Sequence, residues 1–570
     1  MGAPQATEPP EQVGAPQATE RPDSAAGPES TKASKPTEAP RPSDAPEPTD
    51  TPKPLDPEAA RDRIAAAVPE PVLDLVRQLW AAGHAAYLVG GSLRDVLLGR
   101  PVADWDLATD ARPDEIVAIF PDATYENQFG TVGVRRRDGV HEITTFRSEH
   151  EYADFRRPHR VEFGERIEDD LARRDFTINA IAWGVEPSPR EVEAPSRRVE
   201  PPLSGGKAPP SGAEPPLGVE PPSEVEPPSG VEAPQREVEP RPTSRRPQAD
   251  LPRPRLVDPH GGLADLAARR IRAVGDPRVR FGEDALRMVR AVRLAAVLDF
   301  EIEPATLAAI RERADLVRYL SGERIAAELT KLLAAARPSV GLRLLAETGL
   351  LERLLPELAA QRGVPQAKIP GDDLWAHTLR TVDAAPTERP IVRLAALLHD
   401  VGKPETAADG HFPGHEIRGA ELATTILRRL RFPRETIERV AHLVRHHMFS
   451  YEGTWSDAAV RRFIARVGRD ALDELFALRR ADNIGSGLAP DATGLAELEA
   501  RVSAILEGPV VLDRRDLAVD GHDLIRELGL EPGPRLGRIL DALLERVVAD
   551  PSLNERPTLL LLARGLAEGE

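Results

Sequence analysis

The residues best suited to chemistry fall into two groups. The first opens with Gly90-Gly91-Ser92-Leu93-Arg94-Asp95 and continues to Asp104-Trp105-Asp106. Paired glycines at the end of a strand-like run let the backbone approach a phosphate, and Ser92 adds a hydroxyl donor. A helix beginning near Ser92 would aim its positive end at the same anion. On a strand, the side chains of Asp104 and Asp106 leave the same face, so their carboxylates converge. Converging carboxylates repel each other unless a cation lies between them. Mg²⁺ suits that place, because it takes oxygen ligands and accepts phosphate as a co-ligand. A phosphate turn followed by a same-face acidic pair fits two-metal phosphoryl transfer. Glu142, on the next strand pair, has two readings: a third carboxylate for the metal, or an exposed hairpin residue.

The second group is His377, His399-Asp400, His415, His446-His447 and Asp482. Imidazoles and carboxylates at these intervals on successive helices can converge on a divalent metal. Imidazole ligands favour a transition ion such as Ni²⁺, Co²⁺ or Mn²⁺ over Mg²⁺. His415, His446 and His447 are the residues available for a second metal position. Between the two groups, residues 283–298 read as one helix. Asp284, Arg287, Arg290 and Arg293 spread over one half of it, and Ala285, Val289, Val292 and Ala296 over the other. That pattern describes a buried helix with one polar face turned to a cleft.

These groups need elements to hold them. Short apolar runs with Gly-rich turns and helical patches fill 58–185, including strands near 130–135 and 141–147 joined by Arg137-Asp138-Gly139. Residues 256–365 begin with one more strand and become helical, and 366–570 are almost wholly helical by period. The expected fold is α+β: a head with a small mixed sheet and helices, followed by all-α domains. Two segments, 1–57 and 186–255, carry much of the 57 prolines of this 570-residue chain and are expected to be disordered. The second is expected to be an expanded surface loop.

Composition removes several classes. With no cysteine, disulfides, thiolate zinc sites and cysteine nucleophiles are excluded. A net charge of −18 argues against a wholesale nucleic-acid coat and leaves room for a local basic groove. At 4% aromatics, stacking platforms for single strands are scarce. No apolar run reaches the roughly 20 residues of a membrane helix. The first residues lack the basic start and apolar core of a secretory signal, so the expected compartment is the cytoplasm.

At the level of motifs, the chain resembles the class II tRNA nucleotidyltransferases and bacterial poly(A) polymerases. The resemblance rests on GlyGlySerLeuArgAsp at 90–95 and AspTrpAspLeuAlaThrAsp at 104–110. It continues through PheArgSerGluHisGluTyr at 146–152 and GluAspAspLeuAlaArgArgAspPheThrIleAsnAla at 168–180. AspProHisGlyGlyLeuAlaAspLeu at 258–266, GluAspAlaLeuArgMetValArgAlaValArg at 283–293 and SerGlyGluArgIleAlaAlaGluLeu at 321–329 complete it. The family has a short hairpin where this chain has its proline-rich insertion. The resemblance implies that Gly91 and Arg94 hold the triphosphate of CTP or ATP and that Arg174 contacts the incoming nucleotide. It implies that Asp104 and Asp106 hold catalytic Mg²⁺. In that context Asp284 and Arg287 act as a base-reading pair. A carboxylate accepts from the amino group of cytosine or adenine, a guanidinium donates to cytosine N3 or adenine N1, and uracil and guanine leave both groups unpaired. Arg290 and Arg293 are expected to meet phosphates or brace the cleft.

LeuLeuHisAspValGlyLysPro at 397–404 resembles the HD-domain metal phosphohydrolases, whose ligands His377, His399, Asp400 and Asp482 match. AspGlyHisAspLeuIle at 520–525 and GlyProArgLeuGlyArgIleLeu at 533–540 resemble the tail of HD-containing CCA-adding enzymes; Arg535 and Arg538, near a helix start, are either phosphate contacts or solvated arginines. The expected organisation is a tail at 1–57, a head at 58–185, an insertion at 186–255, the end of the head with a base-reading and RNA-binding region at 256–365, an HD domain at 366–485 and a tRNA-binding region at 486–570. The expected activity is template-independent addition of CCA to tRNA, with a 2′,3′-cyclic phosphodiesterase as a second activity. The alternatives are a poly(A) polymerase, an enzyme adding only CC or only A, and an HD phosphohydrolase or RNA-binding regulator with an inactive head. TyrGluAsnGlnPheGlyThrVal at 125–132 and the Arg-rich loop at 148–164 favour full CCA addition.

Overall fold

A computed structural model describes residues 55–125, 130–152, 158–186, 252–366, 368–451, 453–508 and 510–568. The proline-rich tail up to residue 54 and insertion residues 187–251 lie outside the described residues, as do 126–129 and 153–157 of the two sequence features favouring CCA addition.

The head carries a seven-stranded mixed sheet. Its strands are β1 (Ala86–Val89), β2 (Asp106–Thr109), β3 (Ala123–Tyr125), β4 (Thr131–Arg136), β5 (Gly139–Thr145), β8 (Ala182–Val185) and β9 (Arg255–Val257), in the order β3-β4-β5-β2-β1-β8-β9. β2 and β5 run parallel and the other neighbours antiparallel. β6 (Arg147–Tyr152) and β7 (Pro158–Phe163) form a separate antiparallel pair. The alternation of side chains explains why β1 is buried throughout. Ala86 and Leu88 join the main core, while Tyr87 and Val89 join a second cluster on the opposite face with Phe146, Ile167 and Leu171. β8 and β9 pair directly, Ala182 with Val257 and Gly184 with Arg255, although the insertion separates them in sequence.

Helices α1 (Pro57–Ala67), α2 (Glu70–Ala81), α3 (Gly91–Leu98), α4 (Pro113–Ile119), α5 (Ile167–Ala172) and α6 (Gly262–Ala267) pack around this sheet. The helix expected over 283–298 is two helices, α7 (Pro277–Glu283) and α8 (Leu286–Leu298). Asp284 breaks it: its backbone is extended at φ −143°, ψ 107°, and its Oδ1 accepts from the backbone N–H of Leu286 at 3.0 Å. An aspartate that offers its own side chain to nearby backbone donors competes with the helical pattern.

Beyond α8 the described residues are mainly helical; Glu301–Ile302 pairs in parallel with Arg270–Ile271. The helices are α9 (Pro304–Arg313), α10 (Gly322–Leu333), α11 (Pro338–Glu347), α12 (Leu351–Leu354), α13 (Pro356–Ala359), α14 (Leu374–Ala384), α15 (Pro390–Leu398) and α16 (Lys403–Thr406). They continue as α17 (His415–Arg429), α18 (Arg434–His446), α19 (Asp457–Val467), α20 (Leu472–Gly485), α21 (Leu495–Leu506), α22 (Gly521–Leu528), α23 (Pro534–Ala549) and α24 (Arg556–Glu568). In α10, Ile325, Leu329, Leu332 and Leu333 recur at helical spacing and are buried, as are Ile437, Val440, Leu443 and Val444 of α18. One continuous core runs from α1 to α21, and a separate cluster built on Leu524, Leu543 and Leu559 holds the last helices together. No helix among the described residues is long and apolar enough to cross a membrane.

Candidate functional site

The first site is a cleft of about 350 Å³ at the end of β1 and β2, closed on its far side by α8 and α10. Gly90 ends β1 with φ +83°, a conformation that side chains rarely adopt, and α3 begins at Gly91. A Cβ on Gly90 would stand 2.8 Å from Arg174 Nη1 and 3.7 Å from Asp106 Oδ2, so the glycine keeps the turn open between a guanidinium and a carboxylate. Asp104 precedes β2 and Asp106 starts it. Both are exposed on the cleft while Trp105 between them is buried, so the same-face arrangement holds although only Asp106 is in the strand. Extending the β2–β5 register from Leu107 and Ile143 by one residue sets Glu142 beside Asp106, and both are exposed. Desolvation inside the cleft raises the pKa of Asp106; Arg174 opposes that shift and Asp104 adds to it. A divalent cation between the two aspartates would remove that penalty, and the oxygen-only donor set fits Mg²⁺.

The expected phosphate-binding residues are present but largely engaged. The Ser92 hydroxyl is buried and donates to the Val89 carbonyl at 3.3 Å. Arg94 donates to both oxygens of Asp95, at 3.0 and 2.8 Å, and to Asn179 Oδ1 at 2.7 Å. Arg174 approaches Asp170 at 3.2 Å. Arg290 donates to Asp175 at 2.9 Å and lies 3.5 Å from Glu328, and Arg293 lies 3.0 Å from Glu328. Asp175 is buried, yet Arg290 and Asn179 hold its carboxyl down at about 2. Asp284 and Arg287 do not line this cleft. Asp284 Oδ2 accepts from Arg324 at 2.7 Å, while Arg287, buried, donates to the carbonyls of Arg280 and Arg173 and to Glu283. The sequence reading missed Asp95, Asp175, Asn179, Glu328 and Lys331 as wall residues. Four of the five lie within motifs that carried the resemblance, so their type and place were visible but not their direction.

The second site is a buried cluster in the helical body. His377 comes from α14, His399 and Asp400 follow the end of α15, His415 opens α17, His447 follows α18 and Asp482 lies on α20. All six are at least 95% buried. His377 Nε2 lies 3.0 Å from His399 Nε2, 3.3 Å from Asp400 Oδ2 and 3.2 Å from Asp482 Oδ1. The other oxygen of Asp400 faces His415 Nε2 at 3.4 Å and His447 Nε2 at 3.6 Å. Asp400 thus bridges two groups, His377–His399–Asp482 and Asp400–His415–His447, each compact enough to hold a metal ion. Gly402 allows the approach: a Cβ there would fall 2.3 Å from the His415 carbonyl.

The outer nitrogens set the chemistry. His399, His415 and His447 each place Nδ1 within 2.8 Å of a carbonyl three residues earlier, those of Ala396, Phe412 and Val444. A carbonyl only accepts, so Nδ1 carries the proton and Nε2 presents its lone pair to the centre, as in metal-bound histidine. His415 Nε2 and His447 Nε2 are buried without a hydrogen-bond partner among the described residues, as an ion's ligands would be in its absence. Lys403 donates to Asp400 Oδ2 at 2.7 Å and Lys368 to Asp482 Oδ1 at 3.3 Å. Despite burial, the Lys403 ammonium beside it holds Asp400 well below the usual carboxylate range, and hydrogen bonding from His377 does the same for Asp482. His446 belongs to neither group. Its ring packs on His442 with centroids 4.5 Å apart, and burial and His442 lower its pKa to about 4. One helical step of roughly 100° from His447, the His446 ring is turned to His442 and away from the cluster.

Comparison with known proteins shows the family of the chain. A profile of the Poly A polymerase head domain matches residues 86–194, one of the RNA and SrmB- binding site of polymerase A matches 299–362, and one of tRNA nucleotidyltransferase domain 2 matches 417–563. The CCA-adding enzyme of Levilactobacillus brevis is 31% identical over 494 residues, covering 86% of this chain and 95% of that protein. That of Lactococcus lactis subsp. cremoris is 30% identical, covering 88% and 96%. The crystal structure of the Bacillus stearothermophilus CCA-adding enzyme in complex with CTP superposes with a TM-score of 0.58 at 26% identity, over 88% of this chain and 99% of that one. Identity at this level, sustained over nearly the full length of its relatives, shows that the chain belongs to the family of CCA-adding enzymes.

Proposed function

We propose that this protein adds C, C and A to the 3′ end of tRNA, using CTP and ATP and no nucleic-acid template. The observation that carries the reading is the convergence of Asp104 and Asp106 beside Gly90 and Arg174. A phosphate seated on the Gly90–Gly91 turn meets the start of α3 and the Arg174 guanidinium, and it faces both carboxylates. Asp104 and Asp106, with Glu142 beside them in register, would hold divalent cations, which supply charge neutralisation at the reacting phosphorus and at the leaving pyrophosphate. Gly90 leaves room for the triphosphate, and Arg94 and Arg174 can exchange their carboxylate partners for phosphate oxygens. Asp284 and Arg287 read the base once Arg324 and Glu283 yield to it, the first accepting from the amino group of C or A and the second donating to the ring nitrogen. Residues 256–365 are read as the end of the head with this base-reading region, and the helices after 486 as tRNA contacts. The proposed compartment is the cytoplasm. Supplying labelled CTP, ATP, UTP and GTP to tRNA lacking its CCA end tests the reading. Addition of C and A alone supports it; addition of A alone in long runs would make the enzyme a poly(A) polymerase.

A second activity is supported by the buried lone pairs of His415 and His447 and by the bridging position of Asp400. We infer that residues 366–485 form an HD-type phosphohydrolase acting on 2′,3′-cyclic phosphates at damaged RNA ends. His377, His399, Asp400 and Asp482 would hold one transition ion, and Asp400, His415 and His447 a second, which supply an acidified water and a Lewis acid. Lys403 lies at the same carboxylate and offers a cation to the phosphate. Addition of water across the bond from phosphorus to the 3′ oxygen leaves a 2′ phosphate and a free 3′ hydroxyl, the group the first site needs. Assay of cyclic-nucleotide hydrolysis with Ni²⁺, Co²⁺ or Mn²⁺ decides it; no turnover with any of them removes this activity and leaves the helices as a scaffold.

A further inference from the structure

We propose that Lys331 binds a backbone phosphate of the RNA whose 3′ end is being extended, and that this contact sets affinity for the RNA rather than for the nucleotide. The inference deepens the transferase reading and rests on it. Lys331 lies on α10, three residues beyond Glu328, and both line the cleft that holds Asp104 and Asp106. The other wall cations are already matched to carboxylates: Arg94 to Asp95, Arg290 to Asp175, and Arg293 to Glu328. Among the described residues Lys331 is exposed and makes no ion pair or hydrogen bond, so its charge is available to an incoming anion.

Two anions meet in this cleft. The triphosphate has its own cradle at the β1–α3 turn, with Arg174 against Gly90 and Arg94 against Gly91. Lys331 lines the same cleft from a different element, the helix α10 that closes it, and the matched RNA-binding profile, 299–362, includes it. An ammonium on a flexible stem makes a point contact that tolerates movement. That suits an RNA end that must shift by one nucleotide after each addition, where the forked contact of an arginine would hold it.

The test uses the full-length protein and a tRNA transcript that ends before its CCA. Equilibrium binding without nucleotide, over a series of KCl concentrations, is measured for wild type, Lys331→Met and Lys331→Arg. The Met variant should bind roughly three- to tenfold more weakly, and its plot of log K against log salt should flatten by about 0.7 to 0.9. The Arg variant should restore both. In steady state the loss in the Met variant should fall on KM for tRNA, with KM for CTP near the wild-type value. Unchanged affinity and salt slope would overturn the proposal, as would a rise confined to KM for CTP, which would place Lys331 on the triphosphate. A wild-type protein that adds no nucleotide would instead refute the transferase reading, an outcome the nucleotide-free binding series keeps separate.

Discussion

Replacing Asp284 by asparagine keeps the side chain's shape and exchanges an acceptor oxygen for a donor amide. In the structure, Oδ1 accepts from the Leu286 N–H at 3.0 Å and Oδ2 from Arg324 at 2.7 Å. The amide oxygen of the Asp284→Asn variant can keep the first bond, so α8 still starts at the same residue. The amide NH₂ then faces Arg324, and the ion pair is lost. Both side chains of that pair are partly exposed, at 18% and 24%, so the loss costs no more than about 1 kcal/mol of stability. The effect on base choice is larger. A donor now meets the amino group of cytosine or adenine, while the O4 of uracil or the O6 of guanine gains a partner. A mispaired edge of this kind is worth ~1–3 kcal/mol, roughly a tenfold to hundredfold fall in the CTP:UTP ratio. Single-nucleotide incorporation on tRNA lacking CCA, measured with each of the four triphosphates, reads that ratio, and thermal unfolding of the same sample reads the stability term. A folded variant with the wild-type CTP:UTP preference would show that Asp284 only starts a helix and anchors Arg324, and the base-reading argument would fall.

Asp104→Ala and Asp106→Ala should each abolish addition of C and A alike while tRNA binding survives; near-normal addition by either would contradict the metal assignment. Asp175→Asn should destabilise the protein by about 2 kcal/mol at neutral pH, since the carboxyl titrates at about 2 in the fold against 3.8 otherwise. A depressed carboxyl stabilises fully above its unfolded pKa and loses that contribution as pH falls through the folded value. The gap in urea midpoint between wild type and variant should therefore narrow between pH 4 and pH 2, and a constant gap would show that the Arg290 pairing is not its source. Replacing residues 190–250 by a short Gly/Ser turn should leave addition intact, because β8 and β9 already pair from Ala182–Val257 to Gly184–Arg255; loss of folding would show that the insertion packs on the head. His399→Ala and Asp400→Ala should end cyclic-phosphate hydrolysis while CCA addition persists, and joint loss of both activities would mean that the cluster supports the fold instead.

What the sequence determined by itself was local: the glycine turn at Gly90, the same-face pair Asp104 and Asp106, the β4–β5 hairpin, and the helical body with its ordered histidines. Each follows from spacing within a few residues, where strand and helix geometry already fix direction. The β6–β7 pair, the break at Asp284 and the choice between His446 and His447 were decided by tertiary structure. At 283–293 the apolar period continues through the break, so no pattern marks it. The break depends on the Asp284 carboxylate, which bonds the Leu286 N–H and meets an arginine forty residues away, Arg324. The same holds for the cleft wall. Asp175, Glu328 and Lys331 could be named as motif residues or neighbours, but which of them neutralise Arg290 and Arg293, and which remains available to substrate, depends on distances across the chain. Asp400 illustrates the limit most clearly. Its neighbour His399 marks it as a candidate ligand in sequence, and only the close approach of the turn after α15 to α17, permitted by the absent side chain at Gly402, sets its second oxygen toward His415 and His447 and lets one carboxylate face two groups.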